Sequence, residues 1–179
     1  MKYVFLAVIF LTVAAAGTYA YLGGLREPTV ALETIPAPLL LAGQPYHGLV
    51  ASERFGQLFR QAKAAQDGGQ LGRGPTPPAL ANLYFNNPET AHDSVRAFIG
   101  LAVADSSRPL PPGFRYYVVP AGQRVVAARL RNVSYLLAPN KLYPAAFAAV
   151  KQLKLTPRPF YLEQFGPAEG VGTVWVGVQ

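Results

Sequence analysis

Tyr84-Phe85-Asn86-Asn87-Pro88-Glu89 and Gln164-Phe165-Gly166-Pro167-Ala168-Glu169 occupy equivalent places in two parts of the chain. Each ends an apolar run, residues 80–85 or 160–165, with a turn of Asn, Gly and Pro, the residues that set turn geometry or stop a strand. Working outward, a second strand-like run follows each turn, at 94–103 and 171–178. A helical run precedes each pair. Over 52–65, Phe55, Leu58, Phe59 and Ala62 fall at i, i+3, i+4 and i+7 on one face. Over 144–153, Pro144 suits a first helical position, and Ala146, Ala149, Val150 and Leu153 share a face. Further upstream, 30–33 and 39–46 read as one strand interrupted by Pro36 and Pro38. Runs 114–119 and 124–130 are broken by Pro120-Ala121-Gly122.

This pattern implies an α+β fold made by tandem duplication of a strand–helix–strand–strand unit. The units are 29–105 and 113–179, joined by the proline-rich linker 108–113. Within the first, the Gly/Pro-rich connector 68–78 leads from the helix to the last two strands. One such unit cannot bury both a helix face and a sheet face. Two units related by a pseudo-two-fold axis can, with helices on an antiparallel sheet and a cleft at the join.

The first 24 residues form a separate segment, ahead of a domain spanning 25–179. No charge occurs from Tyr3 to Leu22, and at 1.5 Å per residue this run is long enough to cross a hydrocarbon core of about 30 Å. Tyr19 and Tyr21 stand where aromatic rings favour the interface, and Gly23, Gly24, Arg26, Glu27 and Pro28 end the helix. A cleaved signal peptide is the competing reading, with Lys2 as its charged end and small residues near Thr18 and Ala20 for cleavage. The uncharged length favours an uncleaved single-pass anchor. Lys2 alone precedes the span, and Arg26 and Glu27 cancel after it. This leans toward an extracytoplasmic domain without fixing the side.

Of 179 residues 51% are apolar and 14% charged, the balance of an ordered chain. The absence of cysteine excludes disulfides, thiolate catalysis and thiolate metal sites. The net charge of +7 is uneven. Bases and acids nearly cancel through Gly113. Beyond it stand Arg115, Arg124, Arg129, Arg131, Lys141, Lys151, Lys154 and Arg158, against only Glu163 and Glu169. A basic half could face anionic lipid, nucleic acid or an acidic partner. These bases are dispersed and form no nucleic-acid motif, so an ordinary solvated surface with excess Lys and Arg is the favoured reading.

Several stretches resemble the GyrI-like small-molecule-binding domains, which also serve as ligand modules of BmrR-type multidrug regulators. They are Tyr46-His47-Gly48-Leu49, Phe55-Gly56-Gln57-Leu58-Phe59, Leu83-Tyr84-Phe85-Asn86-Asn87-Pro88, Gly113-Phe114-Arg115 leading to Pro120, and Pro157-Arg158 leading to Leu162-Glu163-Gln164-Phe165. With the preceding span, they are most similar to the membrane-anchored branch of that family that includes a testis-expressed ER-phagy receptor. The resemblance covers almost everything after the span. It implies a pocket for flat, hydrophobic or cationic molecules, lined by aromatic rings around a buried carboxylate that maps to Glu163. Some members are similar in fold yet hydrolyse cyclopropane-bearing toxins. The receptor's autophagy motif lies in a long disordered tail, whereas this sequence stops at Gln179 directly after its last expected strand. The autophagy role is therefore not expected here.

Read on its own, Glu163 sits among Phe160, Tyr161, Leu162 and Phe165. Buried in a cleft, it would attract a cation and have a raised pKa. Alternation could instead put it on the solvent face, balancing Arg158. Tyr46, Tyr84, Tyr135, Tyr161 and Trp175 are candidates to line the pocket, each with an alternative place in the core or rim. His47 is a further pocket candidate or a strand-end histidine. With His92 it makes only two histidines, too few for a metal centre, and no metal or cofactor is expected. Gly68-Gly69-Gln70-Leu71-Gly72-Arg73-Gly74 lacks the Gly-Lys-Ser/Thr ending of a phosphate loop and follows a helix, so it reads as a connector. There is no Gly-x-Ser-x-Gly nucleophile elbow. Asn132-Val133-Ser134 is a glycosylation sequon by pattern.

The expected function is a membrane-tethered domain binding a small hydrophobic or aromatic ligand. Two alternatives stand beside it: a hydrolase of strained electrophiles using Glu163, and a membrane-proximal adaptor for a protein partner.

Overall fold

The computed structural model describes residues 1–72, 78–91, 93–134, 137–166 and 170–179. His92 and Tyr135 lie outside the described residues, as do parts of the connector 68–78 and of the turn 164–169. The element order is α1 (Lys2–Tyr21), β1 (Thr29–Thr34), β2 (Leu39–Gly48), α2 (Glu53–Asp67), β3 (Ala79–Tyr84) and β4 (Val95–Val103). After these come β5 (Arg115–Val119), β6 (Arg124–Leu130), α3 (Ala138–Gln152), β7 (Pro157–Phe165) and β8 (Gly172–Val178).

The eight strands form one antiparallel sheet in the order β1-β6-β8-β7-β3-β4-β2-β5. Counted inward from either edge, the pattern is the same: a first strand, then the second, fourth and third strands of the other half. The stretches before and after Pro36 and Pro38 are thus two strands at opposite ends of the sheet, not one interrupted strand. Proline has no N–H for a ladder and cannot continue one, so the chain leaves the sheet there. Ile35 pins the departure: its N–H donates to Gln123 O (2.9 Å) and its carbonyl accepts from Gly122 N–H (2.9 Å).

In α2, Ser52 caps the N-terminus by accepting from Phe55 N–H (3.1 Å), and Phe55, Leu58, Ala62 and Ala65 are buried. Helix α3 starts six residues before the Pro144 expected at its start, and Pro144 lies inside it. An interior proline forgoes one hydrogen bond and crowds the preceding turn. Burial of Ala138, Leu142 and Tyr143 in that extra stretch outweighs the loss, since packing sets most helical stability in a folded domain.

Both helices lie on one face of the sheet. Helix α2 packs on β2, β3 and β4, and α3 on β1, β6 and β8. The opposite face gathers Leu41, Leu83, Phe98, Val125 and Leu162 with Trp175, and no helix residue joins that cluster. The halves meet where β3 pairs β7. Here the sheet has a helix to either side, with a gap between.

Helix α1 buries none of its residues, and it is the one helix among the described residues long and apolar enough to cross a membrane. Its end is seated on the domain. Ser134 N–H donates to Leu22 O (3.0 Å), and Lys141 Nζ donates to Gly24 O and Arg26 O. Gly23 turns the chain at φ +85°, and a Cβ there would come within 2.4 Å of Asn132 O. A side chain at that position would break the docking.

Candidate functional site

The gap over the β3–β7 seam is a cavity of about 430 Å³. Phe55 and Phe59 of α2 form one wall and Tyr143 of α3 the other, and the floor is Leu80, Asn82 and Tyr84 of β3 with Glu163 and Phe165 of β7. The register explains the floor. Asn82 lies opposite Glu163, Leu80 opposite Phe165 and Tyr84 opposite Tyr161, so alternate residues of both strands point to the helix face.

Glu163 is 6% exposed. Its Oε2 accepts from Asn82 Nδ2 (3.1 Å) and Tyr84 Oη (3.3 Å). No hydrogen bond or ion pair found among the described residues brings a cation to it, and Arg158 bonds instead to Gln179. Burial pushes its pKa up to about 7, against the pull of the Asn82, Tyr143 and Tyr84 side chains, and the Glu89 charge pushes the same way as burial. The Tyr143 hydroxyl approaches the carboxylate without completing a hydrogen bond, and it is buried with no partner among the described residues. Burial first and the Glu163 charge second hold its pKa well above the phenol range, and the same two causes raise Tyr84. Arg60, Lys63 (paired to Asp67) and Glu89 also line the cavity. The groups on the Glu163 carboxylate itself, however, are neutral donors beside aromatic walls, which suits a cation or an electron-poor ring.

The residues singled out in the sequence divide sharply. Glu163 and Tyr84 stand together in the cavity. Tyr46 stands behind its wall: its hydroxyl donates to Leu49 O (2.7 Å) and shares a hydrogen bond with Ser52 Oγ, and its ring packs on Phe55 at 4.8 Å. It braces the α2 cap and, through Phe55, the cavity wall. Tyr161 is buried against Phe147, with centroids 6.1 Å apart, away from the cavity lining. His47 is exposed opposite Arg96. Trp175 is on the far face, opposite Leu162, and donates from Nε1 to Glu33 Oε1 (3.1 Å). Period-two alternation sends Trp175 one way and Glu163 the other, because both faces of β7 and β8 are apolar and the sequence carries no phase.

Of the cavity lining, sequence reasoning singled out Glu163 and Tyr84 alone. Asn82 and Tyr143, the two other polar groups nearest the carboxylate, were missed, as were Phe55, Phe59, Leu80 and Phe165. Asn82 had a usable signal, a lone amide between Leu80 and Tyr84 on an apolar strand. Tyr143 had none once Pro144 was taken as the start of its helix. Among the described residues no three acidic or histidine side chains gather as metal ligands would.

No protein-family model matches the chain, and no curated protein matches it in sequence. Solved structures do. An integron cassette protein from the mobile metagenome of Vibrio cholerae superposes with a TM-score of 0.64 at 12% identity, covering 87% of this chain and 99% of its own. The EcmrR C-terminal domain gives 0.59 at 16% identity, covering 87% and 98%. SAV2435, solved bound to tetraphenylphosphonium, gives 0.56 at 8% identity, covering 86% and 94%. This chain shares the fold of these three proteins, a likeness that fits the expected GyrI-like fold.

Proposed function

We propose that this chain is a membrane-anchored binding domain that holds lipophilic, cationic or flat aromatic molecules over Glu163. Residues 1–24 are the anchor, and two copies of one unit, 29–105 and 113–179, make the domain. The observation that carries the reading is a buried carboxylate in an apolar cavity, hydrogen-bonded only to neutral groups, with its pKa raised to about 7. A carboxylate so placed costs stability unless a cation arrives. Tyr84 and Asn82 are positioning residues that hold the carboxylate, while Phe55, Phe59 and Tyr143 supply the surface for a ring. Tetraphenylphosphonium on SAV2435 is a ligand of the expected class on a similar fold.

Tetraphenylphosphonium binding to the full chain in phosphatidylcholine nanodiscs tests this. The cation favours ionised Glu163, so affinity should be level above about pH 7 and fall below it, toward tenfold per pH unit. Glu163→Gln should weaken binding at about pH 8 by tenfold or more, since opposite charges about 6 Å apart attract by roughly 2–3 kcal/mol at an effective dielectric of about 20. Equal affinity for Glu163→Gln and the parent protein would sink the assignment.

The same pKa suits a general base, so hydrolysis of a strained electrophile is a second reading. It requires consumption of substrate, with turnover lost and binding retained in Glu163→Gln.

A further inference from the structure

The cavity over Glu163 has a neighbour. A second cavity of about 400 Å³ shares Lys63, Leu80 and Phe165 with it, so these side chains stand at the junction of the two. The β3–β7 register gives the direction, with Tyr84 at one end, Asn82 and Glu163 in the middle, and Leu80 and Phe165 at the other end. The first cavity therefore runs from Val50, Pro88 and Glu89 past Glu163 to Phe165, where the second begins.

The second cavity continues to Val133, Ser134 and the stretch 170–172. Val133 N–H donates to Gly170 O (3.2 Å), which ties these two walls together. This is also the seat of α1: Ser134 N–H holds Leu22 O, and Gly23 presses on Asn132. The residues walling the far end of the second cavity are those that receive the chain as it leaves the membrane-length helix. Its polar lining is engaged locally, with Lys63 paired to Asp67 and Gln66 Nε2 donating to Pro78 O (2.7 Å). What remains for a guest is Leu80, Val133, Phe165, Val171 and glycine backbone.

From this juxtaposition we infer that the ligand is a single-chain lipophilic cation taken up head first. Its cationic head lies against Glu163, and its chain runs past Leu80 and Phe165 through the second cavity to the membrane interface at the end of α1. The inference rests on the binding reading above and adds a ligand class and a route. Such an amphiphile already has its head at the interface and its chain in the bilayer. Passing along a channel that starts at the anchor keeps the chain out of water, where each exposed methylene would cost roughly fourfold in the equilibrium constant. Entry past Val50, Pro88 and Glu89 would expose the whole chain.

Photolabelling decides between the two ends. The full chain in phosphatidylcholine vesicles is irradiated with decyltriphenylphosphonium carrying a diazirine midway along the decyl chain, and the adducts are mapped by peptide sequencing. Adducts on Leu80, Phe165, Val133 or Val171 are expected, displaced by methyltriphenylphosphonium, which shares the head alone. Glu163→Gln should reduce them about tenfold or more. Adducts on Val50, Pro88 or Glu89 that still need Glu163 would overturn the route and leave the site standing. Labelling unchanged by Glu163→Gln and not displaced by the short homologue would overturn the site itself. A second arm, Val171→Trp, fills the second cavity. It should abolish labelling by the long-chain probe and leave binding of methyltriphenylphosphonium unchanged, and equal labelling of the variant and the parent protein would overturn the route.

Discussion

Glu33 and Glu163 hang from opposite faces of one sheet, and the fold supplies them differently. Glu33, on the helix-free face, is paired with Arg129 and accepts from Trp175 Nε1. The Arg129 hydrogen bond holds its pKa below the usual carboxylate value, against the effect of partial burial. Glu163, between the helices, receives an amide and a phenol, and burial takes it to about 7. One carboxylate is neutralised by the chain's own arginine. The other makes no hydrogen bond or ion pair to a cation among the described residues, although Arg60 and Lys63 line the same cavity. A carboxylate paired within the structure and the one proposed to meet a ligand are thus told apart by their partners, not by their burial alone.

The largest effect expected from this contrast is on stability. Glu163 binds its proton more tightly in the folded chain, at about 7, than in the unfolded chain, at the ordinary 4.5. Its penalty is absent when both states are protonated, grows as pH rises from 4.5 to about 7, and is complete above. At 1.36 kcal/mol per unit this approaches about 3 kcal/mol as an upper figure. Glu163→Gln, which does not titrate, should match the parent protein near pH 4 and exceed it by up to that amount near pH 8. Denaturant midpoints of the ligand-free protein in micelles at those two pH values measure it. A variant less stable at both would show Glu163 to be a structural residue like Glu33, and the contrast would be gone.

Tyr143 sharpens the contrast at a smaller scale. A buried hydroxyl without a partner costs about 1–3 kcal/mol, and replacing it by an apolar group of the same shape is near neutral or favourable. Tyr143→Phe should therefore keep or raise stability by about 1 kcal/mol. The phenol also draws the Glu163 pKa down, so its loss should move the pH midpoint of cation binding upward. A fall in stability beyond about 1 kcal/mol would mean the hydroxyl has a partner that matters.

How much of this was legible in the sequence follows the range of each signal. Local periodicity located both helices of the domain and the runs that became β1 to β8, because a 3.6-residue or two-residue period is written in the residues themselves. Partner choice is not local. Nothing in Thr29–Thr34 says that it pairs with β6 in the other half, so the two strand-like runs around Pro36 and Pro38 read as one. The start of α3 was hidden for a related reason: Pro144 marks a helix start by local rule, and only the burial of Leu142 and Tyr143 overrides it. Glu163 stood out as a lone acid in an aromatic strand. Trp175 and Tyr161 looked equal to Tyr84 because aromatic character says nothing about which face or depth a strand residue takes.

The smallest effect expected is at Glu33. Its partner Arg129 is 39% exposed and Glu33 itself 31%, and solvent-exposed pairs are worth about 0.2–1 kcal/mol. Glu33→Gln keeps an oxygen for Trp175 and loses only the ionic part, so the loss near neutral pH should be a few tenths of a kcal/mol. The sign runs opposite to Glu163. A lowered pKa contributes stability above the ordinary carboxylate range and loses it as pH falls through the folded value, so parent and variant should converge in acid. Added salt should shrink the difference as well, because the pair is open to screening. Cation affinity, read with tetraphenylphosphonium, should not change, since Glu33 is on the face away from the cavity. If Glu33→Gln weakened that binding as Glu163→Gln does, the two faces would be coupled through the strands. Glu163 would then no longer stand as the carboxylate set apart for a ligand.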